Sequence, residues 1–320
     1  MKFSINKALL LAVFVGSFLP SLAQVNAKDY AKVDEFVKKV GSLDTMNMGN
    51  ISEAVTKNFP DKIDKIRAIY DWITNNISFD CAMARSNRDD KNSPTEVLLS
   101  RKAVGIGFAS LFQDMCSSAN IRCLTVDGFV KRHIDDIGES DAEVNHSWAV
   151  VQLGQSPEDW YYFDPAWGAG YTDPDMKKFT KAFNPSYFFA DKVVFNLQHY
   201  PDNEAWKLGA APKNKKDFYA LPIVNSEAYD VSLGKMTPAT GHLKTSAEKP
   251  QSFSFTMKPG ATIDKLSLLI IKNKKPQVKD LPVSFNNGVL SFSFKFDEGD
   301  YPVTVMVNDK ELVTYHVEAD

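Results

Sequence analysis

Apolar residues recur at helical spacing along the first part of the chain. One stripe runs from Asp29 to Val40 and ends before Gly41. A second stripe follows Pro60 and continues to Ile77, and a third runs from Gly105 to Ala119. Each stripe predicts a helix with one buried face, and the third helix opens directly after a turn of small residues.

After the third stripe the pattern changes to that of strands. Segments 122–130, 147–153 and 160–164 predict strands, and polar residues 131–143 separate the first two. Residues 166–191 are rich in aromatic residues, glycine and proline, which predicts loop and short helix. The order of elements predicts an α+β domain with helices packed on an antiparallel sheet.

The last third of the chain predicts a second domain. Residues 209–216 are typical of a linker, and short strands separated by turns follow it, at 252–257, 266–271, 289–296, 302–307 and 312–317. Turn sequences such as Asn286-Asn-Gly288 join them. We therefore expect an immunoglobulin-like β-sandwich over residues 216–320, after a first domain over residues 24–215.

The N-terminus is typical of a signal peptide. Two lysines precede the apolar run Ala8–Leu19, and Pro20 and Ala23 supply a helix break and a small residue. Twelve apolar residues are too few to span a bilayer, so we expect cleavage after Ala23, with Ala27 as the second option. No cysteine follows before Cys81, which argues against a lipid anchor. We expect an exported protein, periplasmic or secreted, without a transmembrane anchor.

Charge and composition exclude several classes of function. The chain has 37 basic and 40 acidic residues, and the basic patch 213–216 is short, so nucleic acid is not an expected partner. The aspartates at 135, 136, 173 and 175 lack the glycine and terminal glutamate of a calcium loop, so neither a metal nor a cofactor is expected. Cys116 and Cys123 could pair, but both lie in apolar patterns that favour buried free thiols.

Three segments of the first domain carry a pattern with chemical meaning. The buried helix opens at Gly105, one strand carries His146, and the next strand ends at Asp164. An aspartate beside a histidine orients the imidazole and supports its charged form, and a helix N-terminus adds positive potential. This is the layout that activates a thiolate nucleophile.

These segments resemble the transglutaminase-like (papain-like cysteine hydrolase) family, in particular its kyphoscoliosis-peptidase-type branch. The resemblance covers roughly residues 60–320, and its motifs occur in order at Trp72–Ile77, Val104–Phe108, His146–Trp148, Asp164–Gly170 and His199–Leu208. It implies a papain-like domain followed by an immunoglobulin-like domain. It also implies that the nucleophilic cysteine of the family falls on Gly105, which has no side chain.

Neighbouring residues do not replace that nucleophile. Ser110 lies about 7.5 Å along the helix from Gly105, and Cys116 about 16 Å along it. Neither reaches an acyl group held at the helix N-terminus. The cysteine chemistry of the family is therefore not expected here.

The other candidate residues also have a purely structural interpretation. His146 and Asp164 are either a remnant general-base pair or a buried polar pair that braces two strands. Trp148 and Trp167 are candidates to line a substrate-binding or peptide-binding cleft, although alternation places about half of the nearby aromatic residues in the core. His199, with its neighbouring proline and tryptophan, is interpreted as a packing corner.

Three functions remain open. The first is an inactive pseudoenzyme that binds a protein or peptide segment at the cell envelope. The second is a non-thiol hydrolase or acyl transferase in which His146, oriented by Asp164, activates water. The third is a structural subunit of an envelope assembly that pairs through a sandwich edge.

The signal-peptide interpretation gives the first testable prediction. The mature protein should begin at Gln24 and carry no lipid, because the cleavage site is followed by no acylatable cysteine. Intact-mass spectrometry of protein from the native host measures this directly. A mass that retains residues 1–23, or one raised by acyl chains, would contradict it.

Overall fold

The computed structural model describes residues 28–86 and 92–320, and the predicted signal peptide lies outside these ranges. The helices are α1 (Ala31–Val40), α2 (Met48–Thr56), α3 (Lys62–Asn76), α4 (Cys81–Arg85), α5 (Pro94–Ser100), α6 (Gly105–Ser118), α7 (Pro165–Ala169), α8 (Lys192–Gln198), α9 (Lys215–Ala220) and α10 (Glu227–Asp230). Short 3-10 turns cover Ile134–Asp136, Pro157–Asp159, Pro185–Tyr187 and Glu204–Trp206.

The strands of the first half are β1 (Ser78–Phe79), β2 (Lys102–Ala103), β3 (Cys123–Val130), β4 (His146–Gln152), β5 (Trp160–Phe163), β6 (Gly170–Thr172), β7 (Phe179–Lys181), β8 (Phe188–Ala190) and β9 (His199–Pro201). Those of the second half are β10 (Ile223–Val224), β11 (Met236–Thr237), β12 (His242–Thr245), β13 (Gln251–Thr256), β14 (Leu266–Lys272), β15 (Lys275–Leu281), β16 (Phe285–Asn286), β17 (Val289–Phe294), β18 (Gly299–Val307) and β19 (Lys310–Ala319).

Local sequence signals explain where several helices begin. Asp61 caps α3 by accepting hydrogen bonds from the backbone N–H groups of Ile63 and Asp64. Ser93 and Glu96 form a capping box at α5, with Pro94 as the first helical residue. Both helix starts agree with the sequence pattern.

The central sheet of the first half has the strand order β8-β5-β4-β3-β9, and each neighbouring pair is antiparallel. Helices α3 and α6 pack together and bury Tyr70 and Phe112 against Phe163 of the sheet. The register places His146 of β4 opposite Gly128 of β3. The predicted fold class, helices on an antiparallel sheet, is confirmed.

Two further sheets form the second half of the chain. One has the order β10-β19-β18-β14-β15 with β12 beside β19, and the other has the order β11-β13-β17-β16. Phe253 of the second sheet packs against Tyr315 of the first, and both rings are buried. This sheet-rich region is consistent with a β-sandwich, and the immunoglobulin-like assignment stays a prediction.

The structure refines the predicted boundaries. The predicted division at 215/216 falls at the start of α9, whose Phe218 and Tyr219 pack with Phe129 and Tyr200 of the first half. Segment 166–191 was predicted as loop and short helix, but it also contains a hairpin, β6–β7, and strand β8. These strands have three residues each, too few to establish an alternating pattern.

The three cysteines are free and buried. Burial raises the pKa of the Cys116 thiol, and the contact with Cys123 raises it further. Within the described ranges, no helix combines the length and the apolar character needed to cross a bilayer.

The contact between α3 and α7 gives a prediction about stability. A Cβ on Gly168 would lie 1.8 Å from the hydroxyl oxygen of Tyr70, which is buried and donates to the Asp164 carbonyl at 3.0 Å. We expect Gly168→Ala to lower the free energy of unfolding by about 1–3 kcal/mol, because the ring has no room to retreat.

Gly49→Ala is the matched control for this substitution. Gly49 is an exposed residue of α2, and its added Cβ would meet only Asn47, at 3.6 Å. This change should leave stability unchanged or raise it by up to about 1 kcal/mol. Urea unfolding of both variants measures the difference, and equal midpoints would refute the steric account.

Candidate functional site

Gly105 lies at the N-terminus of α6, directly beside the imidazole of His146. Val104 provides no side-chain cap, so the first turn of the helix presents backbone N–H groups toward the sheet. A Cβ built on Gly105 would lie 2.8 Å from Nδ1 of His146 and 3.1 Å from the backbone nitrogen of Ser147. A Cβ at position 105 would therefore require the His146 ring to shift.

Asp164 receives hydrogen bonds from both sides. Its Oδ2 accepts from Nε2 of His146 at 2.6 Å and from Nε2 of His199 at 3.1 Å. Its Oδ1 accepts from the backbone N–H of Trp167 at 2.9 Å and so caps α7. The hydrogen bond expected between His146 and Asp164 is present.

The charge of Asp164 is stabilised despite full burial. Burial alone would raise the pKa of this carboxyl, but the charge of His146 and the hydrogen bonds from His146 and His199 lower it below the usual range. The carboxylate is therefore ionised and can only accept, so each Nε2 donates. When His146 is neutral, its Nδ1 is then an unprotonated acceptor directed at Gly105.

His199 is the third member of this network, and the sequence interpretation does not assign it to the site. It lies on β9, is 1% exposed, and stacks on Phe195 with ring centroids 3.9 Å apart. Burial lowers the pKa of His199 to about 4, although Asp164 acts in the opposite direction. The residue was interpreted as part of a packing corner, yet it donates to the same oxygen as His146. Its position at the start of the motif His199–Leu208 was the sequence signal that could have assigned it to the site.

The two candidate tryptophans occupy different environments. Trp148 is fully buried and packs edge-on against His199, so this ring cannot contact a ligand directly. Trp148 lies two residues after His146 on the same face of β4, but it packs within a core cluster against Phe195. The structure therefore does not show the predicted ligand contact. Trp167 is half-buried, lies 5.5 Å from His146 between ring centroids, and lines a cavity.

That cavity has a volume of about 750 Å³ and reaches the His146 side chain. The β6–β7 hairpin forms part of its wall through residues such as Tyr171 and Phe179. Residues of the second half, including Asn225 and Lys310, form another part. The site is therefore open to solvent next to His146, and both halves of the chain enclose it.

The ligand atoms of His146, Asp164 and His199 lie within 4.8 Å of one another. Two imidazoles and one carboxylate are a donor set that transition metals bind. In the described structure, however, both Nε2 atoms donate their protons to Asp164. A metal would have to displace these protons, so the three side chains are described as a hydrogen-bond network centred on Asp164.

Comparison with known protein families assigns the segment of the chain that carries Gly105, His146 and Asp164. Residues 49–165 match the transglutaminase-like superfamily. This segment is a transglutaminase-like domain. The match includes Gly105, His146 and Asp164, whereas His199 lies beyond it.

Relatives of the transglutaminase-like domain include much longer proteins. The chain is 30% identical to human kyphoscoliosis peptidase over 225 residues, which cover 69% of this chain and 33% of the relative. It is 32% identical to the mouse protein over 184 residues, covering 57% and 27%. Hillarin of Drosophila melanogaster is 25% identical over 219 residues, covering 62% and 25%. The chain thus spans about a third or less of the length of these relatives.

The burial of His199 predicts a pH-dependent stability. The folded pKa of about 4 lies below the ordinary value of 6.5, so the unfolded chain binds more protons between these values. This contribution is complete above pH 6.5 and is lost as the pH falls toward 4, with a total of about 3 kcal/mol. We expect His199→Asn to flatten the dependence of unfolding free energy on pH in this window.

Comparing how steeply the unfolding free energy changes with pH in each variant isolates the contribution of His199 from that of other groups. Burial raises the pKa of Asp71 to about 6, which opposes the trend in both proteins equally. His133→Asn, at an exposed position, is the control and should retain the wild-type slope. Urea unfolding at several pH values decides, and identical slopes in wild type and His199→Asn would disprove the assignment.

Proposed function

We propose that the protein is an exported pseudoenzyme whose transglutaminase-like domain binds a peptide segment at the cell envelope without turning it over. The proposal combines the signal-peptide pattern of residues 1–23 with the geometry around Gly105. The site keeps the imidazole and carboxylate of a thiol hydrolase but has no atom that could form an acyl intermediate.

The contact between Gly105 and His146 carries the proposal. With 2.8 Å between the ideal Cβ position and Nδ1, any side chain at position 105 would require the imidazole to shift. A nucleophile and its base normally share a hydrogen bond of about 2.6–3.2 Å between their reacting atoms. A nucleophilic atom at position 105 would be attached to a Cβ that already lies 2.8 Å from Nδ1, so the ring in its present position leaves too little room for this hydrogen bond.

Other nucleophiles near the site are engaged or buried. The Ser147 hydroxyl donates to Oδ1 of Asp127 at 2.6 Å. Cys116 lies fully buried in α6, and burial raises the pKa of its thiol, which keeps it protonated. Neither supplies the missing group.

The cavity supports the binding role. Its volume of about 750 Å³ lies within the range of sites for small ligands and short segments, and it begins at His146 and Trp167. A domain that keeps this cleft and lacks the nucleophile can hold a segment without cleaving or cross-linking it.

Restoring a thiol tests the proposal. We expect wild-type protein to show no thiol-dependent hydrolysis or glutamine cross-linking. Gly105→Cys should place a thiol at the helix N-terminus beside Nδ1 of His146. Iodoacetamide should alkylate that thiol at pH 7 about tenfold faster than in Gly105→Cys/His146→Ala, because the imidazole and the helix lower its pKa.

Gly105→Ala is the matched control for the steric cost. It forces the same retreat of His146, which Asp164 anchors at 2.6 Å, so both substitutions should lower the free energy of unfolding by about 1–3 kcal/mol. Wild-type hydrolysis that is abolished by His146→Ala would overturn the proposal in favour of a non-thiol enzyme. Equal alkylation rates with and without His146 would show that this geometry cannot activate a thiol.

A further inference from the structure

The cavity beside His146 has two charged walls of opposite sign. Three consecutive residues after β3, Lys131, Arg132 and His133, line one wall. Glu227, Asp230 and Glu311 line the other, which the second half of the chain provides. The two walls differ in how far the protein itself neutralises them.

A lysine from the same wall pairs with two of its three carboxylates. Lys310 lies 2.9 Å from Oε2 of Glu227 and 3.0 Å from Oδ2 of Asp230. Burial raises the pKa of Glu227, which further reduces the negative charge at this wall. Two of the three carboxylates of the acidic wall are therefore already paired within the protein.

The basic side has no such partner among the described residues. Lys131, only 5% exposed, donates to the Phe218 carbonyl at 2.7 Å, with its ammonium 3.7 Å from the Phe218 ring centroid. Burial lowers the pKa of Lys131 to about 7, the direction expected for a cation without a carboxylate partner. Arg132 donates to the carbonyl oxygen of Asn145, the residue before His146.

Asp136, an acidic residue on the same loop as this wall, is already engaged. Its Oδ2 accepts hydrogen bonds from the backbone N–H groups of Arg132 at 2.6 Å and His133 at 2.8 Å. These bonds shape the loop and leave the side chains of the basic wall without a carboxylate in ion-pair contact within the described ranges. Positive charge beside a cavity in a partly desolvated setting favours an anionic ligand.

We propose that the cleft selects an acidic peptide segment, whose Asp or Glu carboxylate binds the basic wall formed by Lys131, Arg132 and His133. This inference rests on the proposed peptide-binding function and adds the chemistry of the ligand. A carboxylate can take a bidentate pair of hydrogen bonds from Arg132, which fixes its direction as well as its affinity. The segment then runs from the basic wall past His146 and Trp167.

A phage-displayed library of random heptapeptides, selected on the mature full-length chain, tests the inference. Selected peptides should be enriched in Asp and Glu. Replacing the selected acidic residue by its amide should weaken binding about tenfold or more in fluorescence anisotropy, as expected for a lost charge-assisted pair. Arg132→Glu should cause a comparable loss, and a peptide with lysine at that position should recover binding to this variant.

Lys279→Glu is the matched control. Lys279 is exposed on β15 and does not line the cavity, so this variant changes the net charge equally without touching the basic wall. It should bind the acidic peptide like wild type. Thermal unfolding of both variants confirms that each is folded, and Arg132 is exposed, so its replacement leaves the core intact.

The outcomes separate the two proposals. Selected peptides without acidic enrichment, or equal binding by wild type and Arg132→Glu, would overturn the acidic preference and leave a peptide-binding cleft. Equal losses in Arg132→Glu and Lys279→Glu would assign the effect to net charge and also overturn it. A selection that yields no binding peptide would count against the cleft function itself.

Discussion

A single carboxylate, that of Asp164, ties together elements that are distant in the chain. A charge at 0% exposure is expensive to bury, and N–H donors from β4, β9 and α7 offset that cost. The hydroxyl of Tyr70 on α3 fixes the backbone of the same residue. Removal of any one donor would leave the buried charge with too few hydrogen bonds. The network therefore stabilises the structure of the site whether or not the site is catalytic.

Gly105 and His146 are best understood as one packing unit. The imidazole is held from behind by Asp164 and meets the helix N-terminus on its other edge, where a Cβ on residue 105 would lie 2.8 Å from Nδ1 and force the ring to shift. Nδ1 faces the N-terminus of α6, which carries partial positive charge. The polar groups that a nucleophile would require are thus used to stabilise the junction between α6 and β4.

Much of this arrangement could be predicted from the sequence because it depends on local patterns. The helical stripe after Gly105 and the alternation around His146 and Asp164 place these residues at the ends of adjacent elements. Two features could not be predicted. The participation of His199 depends on β9 pairing with β3, a contact between distant segments with no local signal. The closeness of His146 to Gly105 depends on side-chain packing at the level of tenths of an ångström, which spacing along a chain does not encode.

Residues from both halves of the chain line the cleft. This has a thermodynamic consequence. A segment that contacts both walls adds its binding free energy to the contacts that hold the two halves together. By linkage, occupancy strengthens their docking, and any pull that separates them weakens occupancy by the same free energy. For a ligand that contacts both walls, affinity would therefore depend on how closely the two halves are docked.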